Sequence, residues 1–270
     1  MSFTVAQTLV RSRSFYMDIS IFQVENVLFR IPTGYLKQHS AIFNDMFSLK
    51  PQPGAGEGEG EGEEGQSDKT PIRLDDVSKD DFERFLEVIL TVNTQLEPNQ
   101  TFGTSRWLSV LKLANLWGFA YLRRTAIAKL SSSSNGALLP VFSPTEHIYY
   151  GRLHKVEQWV EQGYAVLVER NEKINEAEAT CLGWGAVLKL CHLREEVIGL
   201  LKSLGAPAHR RSKEYLVTML TVNTAVRRTF SAELHDIRAA AAALSVPPPV
   251  RGSLSEVRQT APATFNWDMK

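Results

Sequence analysis

Apolar residues change their spacing along this chain at Pro32, and that change limits the sheet it can build. Before Pro32, Ile19, Ile21 and Val24 fall in one strand-like run, and Val27 to Ile31 form a second. Beyond it, apart from a short strand candidate at Ile72-Arg73-Leu74, the apolar runs recur at helical intervals. Two hairpin strands and one short strand make a small sheet only, so the rest of the core has to come from helices. The pattern predicts an α+β domain followed by an all-α region. Glu25-Asn26 is read as the tight hairpin turn, with Asn accepting a positive φ. Pro32 stops the second strand and can open a helix. Leu36, Ile42, Phe43, Met46 and Phe47 fit two short helices broken near Ser40, whose hydroxyl can cap the second.

The next segment, Pro51 to Thr70, reads PQPGAGEGEGEGEEGQSDKT and carries six acids against one Lys69, a net charge of −5. Glycine raises the entropy of ordering and neighbouring glutamates repel, so this tract is expected to be a mobile surface loop. Such an expansion is tolerated because loop-closure cost grows slowly with length.

Beyond the loop, Ser78 is placed to cap a helix whose first turn holds Asp80 and Asp81, near the positive end of its dipole. Phe82, Phe85, Leu86 and Ile89 form one stripe on it. A further helix carries Trp107, Val110, Leu111, Ala114 and Trp117 and ends at Gly118, and Leu122, Ile127 and Leu130 belong to the next. Ser131 to Gly136 (SSSSNG) is a linker by composition. The second half repeats the helical pattern at Val156, Trp159, Val160, Gly163 and Leu167. It does so again at Val187, Leu190, Arg194, Val197, Ile198 and Leu201, and finally at Phe230, Leu234, Ile237, Ala241 and Leu244. Pro247-Pro248-Pro249 opens a tail expected to be at least partly disordered. The domain reading is an N-terminal segment 1–14, an α+β domain 15–131 containing the acidic loop 51–70, a helical domain 137–244, and the tail 245–270.

Thirty basic residues balance thirty acidic ones, which disfavours a nucleic-acid binder whose phosphate contacts demand excess Lys and Arg. No stretch approaches the ~18 apolar residues of a membrane span. The first residues lack a continuous apolar core of a secretory signal, so an intracellular location, cytoplasm or nucleus, is expected. Two cysteines, Cys181 and Cys191, are too few for a disulfide framework. With His192 they give three soft ligands, one short of a structural zinc site, and their ten-residue spacing is unlike the usual ligand pairs. His39, His147, His154, His209 and His235 complete no metal-binding motif. No nucleophile elbow, P-loop, zinc-protease or dinucleotide fingerprint occurs, so no catalytic, metal or cofactor residue is assigned. Arg123-Arg124, Arg210-Arg211 and Arg227-Arg228 read as solvated surface pairs. Trp107, Trp117, Trp159 and Trp184 sit at helical apolar positions and read as core.

The order of these pieces resembles a BTB/POZ domain over residues 17–130. Met17-Asp18-Ile19 opens the first strand and Phe29 lies on the second. LKQHSAIFNDMF, with Leu36, Ser40, Phe43, Met46 and Phe47, is the most specific segment. Ile72-Arg73-Leu74-Asp75, then Phe82, Phe85 and Leu86, and last Leu111, Ala114 and Trp117 to Leu122 follow at the family's spacing. The second half is similar, more loosely, to the helical extension of fungal BTB proteins, through Trp159, Tyr164, Leu167, Arg170, Glu176-Ala177, Leu182-Gly183 and Leu193-Arg194-Glu195. The resemblance implies a non-enzymatic interaction protein: a small mixed sheet flanked by α-hairpins, a homodimer, and a scaffold for an unidentified protein partner. The alternative it implies is a substrate adaptor of a cullin-type ubiquitin ligase.

Two positions depart from the family's pattern. Where many members carry His followed by a basic residue at the start of the first helix, this chain has Pro32 and Thr33, and Thr33 supplies no base to Asp18. Where cullin-binding members show an apolar-x-Glu motif, residues 90–97 read LTVNTQLE, without a clear match. Phe3, Val5, Leu9 and Val10 nearly alternate. Together with Phe15 they are the candidate partner or dimer interface, either as a strand added to a second subunit or as a loose tail.

Overall fold

A computed structural model describes residues 10–12, 16–48, 64–94, 102–131, 142–204 and 213–244, leaving out the side chains of 91–94, 200–204 and 213–220. Phe3, Val5, Leu9 and Phe15 lie outside the described residues, as do 51–63 of the acidic tract, 132–136 of the linker and the tail from 245. The described residues divide into two compact units, one made of those from 10 to 94 with 116–121 and the other of those from 102 to 115 and from 122 to 244.

In the first unit, β1 (Ile19–Val24) pairs antiparallel with β2 (Val27–Pro32), and β3 (Ile72–Arg73) pairs parallel with β1, giving the order β2-β1-β3. The central strand is buried through Ser20, Ile21, Phe22 and Val24, whereas β2 alternates in burial as an outer strand does. The register places Ile19 opposite Pro32 and Val24 opposite Val27. The turn residue with positive φ is Glu25, at 53°, rather than the expected Asn26. Glu25 is further held there by its surroundings: its carbonyl accepts from the Gln23 amide and its carboxylate accepts from the Lys79 backbone N–H. Pro32 is still within β2, so the helix begins two residues later, as α1 (Gly34–His39).

After α1 comes α2 (Ala41–Ser48), and Ser40 caps it as expected, accepting from the Phe43 N–H at 3.2 Å. Ser78 likewise accepts from the Asp81 N–H at the head of α3 (Lys79–Thr94). Phe22, Phe43, Phe82, Phe85, Trp117 and Phe119 interlock as an aromatic core, mostly edge to face with centroids 5.3 to 6.2 Å apart. The described end of the acidic tract is an ordered turn segment. Residues 64–70 form turns, and Gly65 sits buried with its carbonyl accepting from Ile21 N–H at 2.8 Å and its N–H donating to Thr70. A φ of 82° and a built Cβ only 2.8 Å from Ile72 Cδ1 explain glycine at this place.

The second unit holds α4 (Thr104–Leu116) up to Asn115 and α5 (Ala120–Ser131) from Leu122. It continues with α6 (Pro144–His154), α7 (Glu157–Glu169), α8 (Glu176–Leu182), α9 (Trp184–Leu204), α10 (Lys213–Thr229) and α11 (Ser231–Leu244). Ser143 and Asn175 start α6 and α8 with reciprocal capping boxes, to Glu146 and Glu178. The α6–α7 hairpin packs closely because glycine lines its contact: Gly151 lies against Val160 and Gly163 against Ile148 and the Pro144 carbonyl. Tyr164, Leu167, Leu190, Leu193, Val222, Val226, Phe230 and Leu234 form the core around it. Two expected core residues are outside. Trp184, the first residue of α9 after Gly183 with its φ of 85°, is 74% exposed, and Ile198 is exposed while Leu193 fills the core.

Candidate interaction surfaces

Val10 (87% exposed), Tyr16 and Met17 before β1, Ile19 at its start, and Leu28 near the hairpin turn on β2, opposite Gln23, present large apolar side chains to solvent. Of the five residues expected at an interface, Val10 is the one within the described residues, and it belongs to this group. Ile19 reads from the sequence as part of an apolar strand run, and its exposure at the strand's first position is legible only once its neighbours are known. The Arg11 guanidinium lies 4.7 Å from the centre of the Tyr16 ring. Asp18 does find a base: Lys37, one turn into α1, lies 3.0 Å from its carboxylate, though the pair is largely exposed. Thr33 instead serves the backbone, its N–H donating to the Asp18 carbonyl at 3.0 Å. The pair at this position is therefore a surface contact of modest strength. The Lys37 ammonium also stands 5.1 Å from the centre of the Phe47 ring.

The second unit has charges that are mostly committed to its own helices. Arg152 on α6 donates to Glu233 at 2.7 Å, to the Tyr164 hydroxyl at 2.8 Å and to the Leu182 carbonyl at 3.0 Å, while Tyr164 donates to Glu233 at 2.9 Å. Burial pushes the Tyr164 phenol far above its ordinary pKa, with the carboxylate of Glu233 adding to the effect, so it remains a donor. Its ring stacks on Phe230 with centroids 3.7 Å apart. Arg227 and Arg228 pair with Glu161 and Glu196, and Arg238 with Glu157. A shallow groove lined by Glu157, Gln158, Glu161, Arg227 and Arg238 is thus already neutralised from within.

Among the described residues, no three His, Cys, Asp or Glu side chains converge as metal ligands, and no helix is long and apolar enough to cross a membrane. Cys181 is half-buried and Cys191 exposed, both as free thiols. Burial raises the Cys181 pKa, which makes it a poorer nucleophile.

No curated protein matches the chain. The model of one family, the BTB/POZ domain, matches residues 8–134. That match covers the three-stranded sheet with its parallel β1–β3 pair, the Ser40-capped helices and the aromatic core. BTB domains mediate contacts between proteins rather than catalysis, and commonly self-associate. Residues 8–134 are therefore a BTB/POZ domain, followed in this chain by a helical region.

Proposed function

We propose that the chain is a non-enzymatic scaffold: its BTB domain pairs with a second copy, and its helical region, akin to the extension of fungal BTB proteins, holds an intracellular protein partner. The observation that supports this reading is the run of exposed apolar side chains at Val10, Tyr16, Met17, Ile19 and Leu28. Large apolar side chains that stay exposed on a folded domain are candidate contact sites. Among the described residues, β2 is an edge strand of the three-stranded order. In the proposed dimer, the segment carrying Phe3, Val5, Leu9, Val10 and Phe15 covers this surface on the other copy.

Two differently tagged copies expressed together test it. Capture of one tag should bring down the other, and Met17→Asp combined with Val10→Asp should abolish this. Capture unaffected by both charges would remove the basis of the reading. A cullin N-terminal region is the partner that would make the chain a ubiquitin-ligase adaptor instead. Micromolar binding of that region by the full chain would decide for the adaptor.

A further inference from the structure

The family match ends at 134, yet α4 and most of α5 fall in one compact unit with the helices that follow. The chemistry at this junction gives the reason. α6 ends at His154 with Lys155 in the left-handed conformation, φ 57°, so its last carbonyls have no helical partners. Arg123, on α5, supplies them: one guanidinium nitrogen donates to the His154 carbonyl at 3.0 Å and to the Lys155 carbonyl at 3.1 Å. A cation at a helix C-terminus is also favoured by the dipole. The same guanidinium donates through Nε to Asn115 Oδ1 at 2.8 Å, which fixes the amide so that Asn115 Nδ2 faces His154 Nδ1 at 3.3 Å. At the other end of α5, Ser131 accepts from the indole N–H of Trp159 at 2.7 Å, and Trp159 is buried.

Without α4 and α5, α6 and α7 would have two open carbonyls, a buried indole N–H without an acceptor and a His154 without its donor. Without α6 and α7, Arg123 would lose two of its three acceptors. Each polar group is costly to bury alone and is matched by a group of the other segment.

We infer that the face of α4 and α5 bearing Asn115, Arg123 and Ser131 is a docking surface for the chain's own α6–α7 hairpin. The last helices of the BTB domain therefore fold together with the helical region. This goes beyond the proposed scaffold role and does not depend on dimerisation.

A specific protease site inserted between 132 and 141 of the full chain tests it. After cleavage the two fragments should co-elute in equal amounts, and Arg123→Ala should raise their dissociation constant at least tenfold. Separation of the unmutated fragments would overturn the inference. In the uncleaved chain, hydrogen exchange of α5, α6 and α7 should quicken together in Arg123→Ala. Faster exchange confined to α5 would equally overturn it.

Discussion

Ser40 donates its hydroxyl hydrogen to the carbonyl of Trp117, 77 residues later, at 2.6 Å, and the same oxygen accepts from the Phe43 N–H. One buried hydroxyl thus caps α2 and fixes the segment that brings Trp117 and Phe119 against Phe43 and Phe85. Ser40→Ala removes the cap and leaves the Trp117 carbonyl without this donor. A loss of about 1–3 kcal/mol is expected in urea unfolding. Phe43→Asp, which places a charge among these rings, should leave the BTB domain unfolded. An unchanged melting temperature in either variant would contradict the packing described.

The glycines within the helices of the second unit divide into two classes with opposite expectations. A Cβ at Gly163 would stand 2.6 Å from the Pro144 carbonyl, and one at Gly151 would stand 2.9 Å from the Val160 backbone nitrogen. Gly163→Ala and Gly151→Ala should each destabilise by roughly 1–3 kcal/mol, since backbone must move. Gly185 and Gly199, both on α9, meet nothing within 4 Å. Alanine there should stabilise by up to about 1 kcal/mol through helix propensity. Denaturant midpoints of the four variants check the contrast.

His154 makes stability depend on pH. Burial, with the charges of Arg123 and Lys112, pushes its pKa down to about 4 from an ordinary value of 6.5. Neutral Nδ1 is the acceptor for Asn115, so a proton there breaks the contact. The unfolded chain takes up this proton first as pH falls, so the contribution is complete above about pH 6.5 and is lost on acidification toward pH 4. The change is on the order of 3 kcal/mol. His154→Gln should flatten the stability profile in that window. A profile as steep as that of the unmutated chain would place the acid sensitivity elsewhere.

In the acidic tract, the boundary between dispensable and structural sequence is expected to fall before Gly65. Removing 54–63 should leave the urea midpoint unchanged, because closure cost depends weakly on loop length. Gly65→Val should lower it, since Gly65 pairs with Ile21 and crowds Ile72.

The sequence made the BTB domain readable because its signals are local. Ser40 and Ser78 announce caps, and Phe82, Phe85, Leu86 and Ile89 keep a helical period. The helices α6, α8 and α10 were not separately legible. On α6 the buried face consists of Ile148, Gly151 and His154, a small residue and a polar one among them, which carries little hydrophobic period. Arg123 looked like half of a solvated basic pair, and only the arrival of α6 shows that it is half-buried and bonded. Trp184 looked like core for the opposite reason. Its size suggests burial, but its place at the first turn of α9 turns it outward. Lys37 escaped as the base for Asp18 because their pairing spans the hairpin and the first turn of α1.

Light scattering on the eluting full chain, at concentrations from 1 to 50 μM (about the range where a stable dimer of standard interface size persists), tests self-association most directly. Twice the single-chain mass is expected throughout, falling to the single-chain mass when Val10 and Met17 are both changed to Asp. A single-chain mass for the unmutated protein at the highest concentration would contradict the dimeric scaffold.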